Sequence, residues 1–182
     1  MTAICAVVHD KKVWMGGDSA AADVSTLSLS LRRAPKVFVN GPFVMGFTDS
    51  FRMGQLLQHG FSQPDRVSGT SDEKYMATSF VDGVRSCLKA GGYARRENEV
   101  ESGGTFLVGY HGRIFEVHSD YQVGESLADF DAVGSGFELC LGALHATEEM
   151  VMEPGVRLVL ALRAAERFSM GVRSPFTIAR EP

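Results

Sequence analysis

Cysteine is scarce in this sequence, and its three thiols, Cys5, Cys87 and Cys140, are an odd number set in apolar surroundings. That argues against a disulfide framework, reads as buried reduced thiols and makes the cytoplasm the expected compartment. No apolar stretch approaches the ~18 residues that a membrane span requires. The N-terminus also lacks the charged segment and long apolar core of a secretory signal. Charge of one sign never accumulates: Lys11-Lys12, Arg32-Arg33 and Arg95-Arg96 are scattered pairs, and the net charge is −4. Broad nucleic-acid binding is therefore not expected. His9, His59, His111, His118 and His145 show neither the two-histidine helical spacing nor the neighbouring cysteine pair of a metal site. No Gly-x-x-x-x-Gly-Lys loop is present to cradle a phosphate, so neither a metal nor a cofactor is expected.

What is present suits a single domain, 1–182, with 45% hydrophobic residues to fill its core. Thr2 to Val8 is a β-branched, apolar run, followed by the charged turn His9-Asp10-Lys11-Lys12 and a second run from Val13 that ends in Gly16-Gly17-Asp18. This predicts a hairpin whose first strand starts at residue 2. Ala20 to Leu31 reads as a loop entering a short strand from Thr26. Asn40-Gly41 marks a tight turn between apolar runs over Lys36 to Thr48. Asp49-Ser50 caps a helix from Phe51 to His59. Thr70 to Glu73 fits a capping box for a helix over 72–90. A hairpin across His111-Gly112, a strand from Asp131 to Val133 and helices over 136–147 and 153–170 follow, the last buried over Val156 to Leu162. Pro175 to Ala179 closes the chain as a strand. Long antiparallel hairpins with helices in separate pairs predict an α+β fold, two antiparallel sheets between helix pairs.

The candidate chemistry begins at Thr2. Methionine before a small residue is commonly removed, and removal of Met1 would give Thr2 a hydroxyl nucleophile and a free α-amine as its base. Such an amine titrates near ~7.7–8.0. A nearby lysine favours its neutral form and stabilises charge developing at the oxygen, and a lysine facing a core needs a carboxylate partner. Lys36 and Asp18 are placed at strand ends where they could fill those roles, and the Gly46 amide could serve as an oxyanion donor. Taken singly, Asp18 is equally a turn residue, Lys36 a solvated strand end and Gly46 a strand irregularity.

Thr2, the Gly-Gly-Asp18 strand end, Lys36 before an apolar hairpin, Gly46, and Gly134-Ser135-Gly136 before a helix occur in an order and spacing that resemble the proteasome β-subunit family. The closer likeness is to the HslV-type bacterial peptidase subunit, and it runs from Thr2 to Ile178. The resemblance implies an N-terminal nucleophile hydrolase with a four-layer αββα sandwich, acting as a threonine-type peptidase on peptides or unfolded proteins. It implies Thr2 as nucleophile, Lys36 paired with Asp18, Gly46 as oxyanion donor and Ser135 holding the α-amine. Met45 is a candidate wall of an apolar substrate pocket. The resemblance also implies a homo-oligomeric ring served by an ATP-driven unfoldase. Two departures stand out. Arg167, with Glu166 beside it, occupies the place of an aspartate that supports the family's site, and the Asn40-Gly41 hairpin is shorter. Ser135 has a second reading as a helix cap, in Ser135-Gly-Phe-Glu138.

Two other readings compete. Gly17-Asp18-Ser19 resembles the nucleophile block of Gly-Asp-Ser esterases, with Ser19 attacking. Those enzymes need a late aspartate–histidine pair, and no aspartate follows His145. The alternative from another class is a catalytically silent scaffold or assembly protein of the same fold. A retained Met1 would leave Thr2 with an amide, which cannot act as a base.

Overall fold

The computed structural model describes residues 1–23, 25–97 and 100–182; Val24, within the Ala20–Leu31 stretch, lies outside them. The first hairpin, β1 (Ile4–His9) and β2 (Lys12–Gly17), turns at Asp10 and Lys11, both at positive φ. The stretch read as loop instead forms a second small hairpin, β3 (Ala20–Asp23) with β4 (Ser28–Leu31). Its first strand, Ala20-Ala21-Ala22-Asp23, has no apolar alternation to detect, so only the Ser-Leu-Ser-Leu second strand was legible. β5 (Val37–Asn40) and β6 (Phe43–Phe47) follow. Gly41 takes the positive φ of their turn, while Asn40 donates to the Leu57 and Phe61 carbonyls and so holds the end of α1 (Phe51–His59).

The long helix predicted over 72–90 is composite: α2 (Asp72–Tyr75), a π-helical turn over Met76–Phe80, and α3 (Val81–Ala90). Its cap is Ser71, which accepts from the Lys74 amide, one residue later than the predicted box. Then come β7 (Arg95–Glu97), β8 (Val100–Ser102), β9 (Phe106–Tyr110), β10 (Arg113–Val117), β11 (Val123–Glu125) and β12 (Phe130–Val133). The chain ends with α4 (Phe137–Ala146), α5 (Pro154–Phe168) and β13 (Thr177–Arg180).

Two antiparallel sheets organise these elements. One runs β12-β1-β2-β13 and the other β11-β10-β9-β6-β5. Three apolar clusters hold them. Ile4, Val13, Met15, Val37, Val44 and Leu107 form one cluster from strands of both sheets. Phe43, Met45, Leu57, Phe80, Val84 and Val108 join the second sheet to α1 and the composite helix. Cys5, Val7, Cys140, Leu158, Ala161 and Leu162 join the first sheet to α4 and α5. Burying such side chains contributes about 1.5–3 kcal/mol each. One expectation fails here: α5 is not covered all round, because Val156 is 58% and Leu160 41% exposed while Leu158 and Leu162 are sealed. No helix among the described residues is long and apolar enough to cross a membrane.

Candidate active site

β1 pairs with β2 on one side and β12 on the other, so the N-terminal end of β1 lies between the end of β2 and the loop after β12. The register Ile4↔Gly17 and Ile4↔Val133 brings Asp18 and Ser135 to either side of Thr2. Thr2 is buried, and its Oγ1 accepts a hydrogen bond from Lys36 Nζ at 2.8 Å. Lys36 Nζ also donates to Asp18 Oδ1 at 2.7 Å, an ion pair whose side chains are 2% and 0% exposed. Asp18 is saturated with donors. Ala3 N reaches Oδ1, while Ala20 N and Arg173 N reach Oδ2. Three backbone amides and the Lys36 ammonium hold this carboxylate in place, which in turn aims Lys36 at Thr2. Burial pushes the Lys36 ammonium below its ordinary value, and the charge and hydrogen bond of Asp18 oppose that shift.

Beyond β12, Gly134 sits at φ +95, and a Cβ there would stand 2.4 Å from the Thr2 carbonyl oxygen. Glycine is therefore what lets this loop close on Thr2. Gly136 N donates to that same carbonyl, and Ser135 Oγ accepts from Thr2 N at 3.1 Å. The capping-box reading of Ser135 is not what forms: α4 is capped by Gly136 without a side-chain bond. Thr2 Oγ1 itself donates to the Met1 carbonyl at 2.6 Å. A cavity of about 90 Å³ opens on this group, lined by Met1, Thr2, Lys36 and residues of the β3 and Phe47–Phe51 segments.

The structure thus brings Thr2, Asp18, Lys36 and Ser135 together, and leaves two expected residues elsewhere. Met45 is wholly buried against Phe38 and the helices of the second sheet, and it borders none of the cavities at Thr2. Met45 shares its face of β6 with Phe47, which does border the Thr2 cavity, but lies one pleat deeper in the sheet. Gly46 faces the inter-sheet cluster, where a Cβ would stand 2.5 Å from Ile4 and 2.7 Å from Met15. Phe47 N donates to Lys36 O and Thr48 N to Thr105 O, so the alternating ladder directs the Gly46 amide toward β9 rather than the cavity. The loop that borders Thr2 is Thr48-Asp49-Ser50, with Asp49 at φ +56 and its carboxylate on the Thr105 amide. Its only sequence signal was an Asp-Ser pair, which reads as a helix cap.

Ser19 lies beside the group but is committed elsewhere. Its Oγ donates to the Pro175 carbonyl and its amide to Arg173 O. His145, the base an esterase reading would need, is exposed on α4 and faces Glu148. Arg173 was missed altogether in the sequence, because it serves through its backbone. Glu166 accepts from Ser174 N, tying α5 to the loop that carries Arg173.

No protein-family description and no curated protein matches the chain. Solved structures do. Thiobacillus denitrificans BPH, in complex with epoxomicin, superposes with a TM-score of 0.80 at 20% identity, covering 98% of this chain and 97% of its own. HslV from Trypanosoma brucei gives 0.68 at 16%, with 98% of each chain covered. Anbu, the ancestral beta-subunit from Yersinia bercovieri, gives 0.67 at 13%, covering 100% of this chain and 82% of its own. At these identities the likeness is one of fold, and the chain has the proteasome-like fold that BPH, HslV and Anbu share.

Proposed function

We propose that this chain is an N-terminal threonine hydrolase, a threonine-type peptidase in which Thr2 becomes the nucleophile once Met1 is removed. The observation that carries the reading is Lys36 Nζ lying between Thr2 Oγ1 at 2.8 Å and Asp18 Oδ1 at 2.7 Å. A structural ion pair has no need of a third partner that is a hydroxyl at the mouth of a cavity. The freed α-amine would take the hydroxyl proton as Thr2 attacks the scissile carbonyl, then pass it to the departing amine. Lys36 would lower the amine's proton affinity and stabilise the alkoxide, with Asp18 holding it in place. Ser135 would keep its contact with the amine. The oxyanion donor expected at Gly46 is reassigned in this reading to the backbone of Thr48-Asp49-Ser50, the segment that borders the Thr2 cavity. The three apolar clusters fit the interfaces of a four-layer αββα sandwich. A cytoplasmic homo-oligomeric ring, fed with peptide or unfolded protein by an ATP-driven unfoldase, completes the proposal.

The silent-scaffold reading turns on whether Met1 is kept. With Met1 in place, Thr2 N is an amide and Thr2 Oγ1 is engaged by the Met1 carbonyl. Fluorogenic peptides separate the two. Thr2→Ala and Lys36→Ala should each lose at least about a hundredfold in kcat/KM, while Ser19→Ala stays within about fivefold. Thermal melts of each variant check folding, and undiminished hydrolysis by folded Thr2→Ala would eliminate the proposed nucleophile.

A further inference from the structure

Gly171 is a glycine for a reason its own backbone does not supply. Its φ lies outside the left-handed region, yet a Cβ there would stand 2.1 Å from Met1 Cβ and 2.9 Å from its Cγ and Sδ. The Met1 side chain rests directly on this residue, so the missing side chain makes room for another. Met1 borders a small cavity of about 60 Å³ lined by Ala22, Asp23, Leu27, Ser28, Leu29 and Met170. Its apolar walls, Leu29 at 44% and Met170 at 68% exposed, are only partly covered, and Asp23 and Ser28 stand on its rim. Met1 also borders the Thr2 cavity and a larger one of about 620 Å³ on the Ser135 side. Met1 is thus a wall common to all three.

The chemistry says what enters that space. During acylation the Thr2 Oγ–carbonyl carbon bond forms and the scissile C–N bond breaks. The hydroxyl proton travels through the α-amine to the departing nitrogen, which must come within ~3 Å of Thr2 N. Met1 now holds the volume next to that nitrogen. The residue whose amine departs therefore follows Met1's course, and its side chain reaches the seat on Gly171. Building on the Thr2 reading, we infer that the Gly171 seat is a leaving-side subsite for an apolar, methionine-sized side chain. The acyl side is served by the separate cavity along Ala20–Ala22 and Phe47–Phe51.

The test uses protein whose loss of Met1 has been verified by intact mass, with an epoxyketone adduct scored in parallel. Peptides differing only at the leaving-side residue should show kcat/KM roughly tenfold higher for methionine or norleucine than for glycine or aspartate, the scale of a partly buried apolar side chain. Gly171→Ala should shrink that ratio to about twofold or less. Should it fail to fold, Leu29→Asp on the exposed hairpin tests the same wall, with the preference moving toward basic residues. Labelled, active enzyme that ignores the leaving-side residue, or selects only on the acyl side, overturns the inference and leaves the Thr2 nucleophile standing. Protein that neither labels nor cleaves overturns both.

Discussion

Lys36 is a cation enclosed among strands, and two opposed effects set its state. Burial lowers its proton affinity, and Asp18 raises it again, with the net shift downward from the ordinary value of 10.5. The folded chain therefore sheds this proton at lower pH than the unfolded chain. Between the lowered value and ~10.5 the unfolded state binds more protons, so Lys36's contribution to stability rises with pH. It is complete above ~10.5 and lost as pH falls through the lowered value. Denaturant titrations should accordingly show wild type gaining on Lys36→Met as pH climbs from neutrality toward ~10.5; a constant difference would contradict the buried-cation account. Asp18→Ala strands the ammonium without its partner, and removing one member of such a pair costs about 3–5 kcal/mol. A midpoint shift below ~1 kcal/mol would mean the pair is solvated.

The loop after β12 carries the element-scale argument. Gly134 at φ +95 is packed against the Thr2 carbonyl, and Gly136 N and Ser135 Oγ both bond to Thr2. Gly134→Ala combines backbone strain with a 2.4 Å clash, so it should destabilise the fold by about 1–3 kcal/mol or displace Thr2 and abolish activity. Unchanged melting and hydrolysis would show that the loop does not position Thr2. Much of this level was legible in the sequence. The hairpins declared themselves through apolar runs around Asp10-Lys11, Gly41 and His111-Gly112, and α1 through Ser50. The gathering of Thr2, Asp18, Lys36 and Ser135 was legible because each stands at an element's end, where chain order and spacing survive. Gly46 misled because the direction of its amide depends on strand parity, which sequence spacing does not carry, and Met45 because it lies one pleat deeper than Phe47, the β6 residue that borders the cavity. Ser135 looked like a cap, but its hydroxyl is taken by Thr2 N. Arg173 reaches Asp18 through its backbone amide, for which side-chain identity is no guide.

At the scale of the whole molecule, the two sheets enclose one apolar cluster and carry helices on two others, yet apolar surface remains bare. Val156, Leu160 and Phe168 on α5, Leu27, Leu29 and Leu31 on the small hairpin, and Met170 beyond α5 are exposed. α5 is half-buried because its outer face has no partner among the described residues, which sequence periodicity alone presents as a fully buried helix. Such surface suits subunit contacts. Light scattering at micromolar concentration should therefore return a multiple of 19.7 kDa, and a monomer would contradict the ring. The central claim, that Thr2 is a processed and activated nucleophile, is met most directly by intact mass measured before and after incubation with an epoxyketone or β-lactone. The account predicts loss of one methionine and one stoichiometric adduct on Thr2, absent from Thr2→Ala. Retained Met1 with no adduct would contradict it and make the silent scaffold the better description.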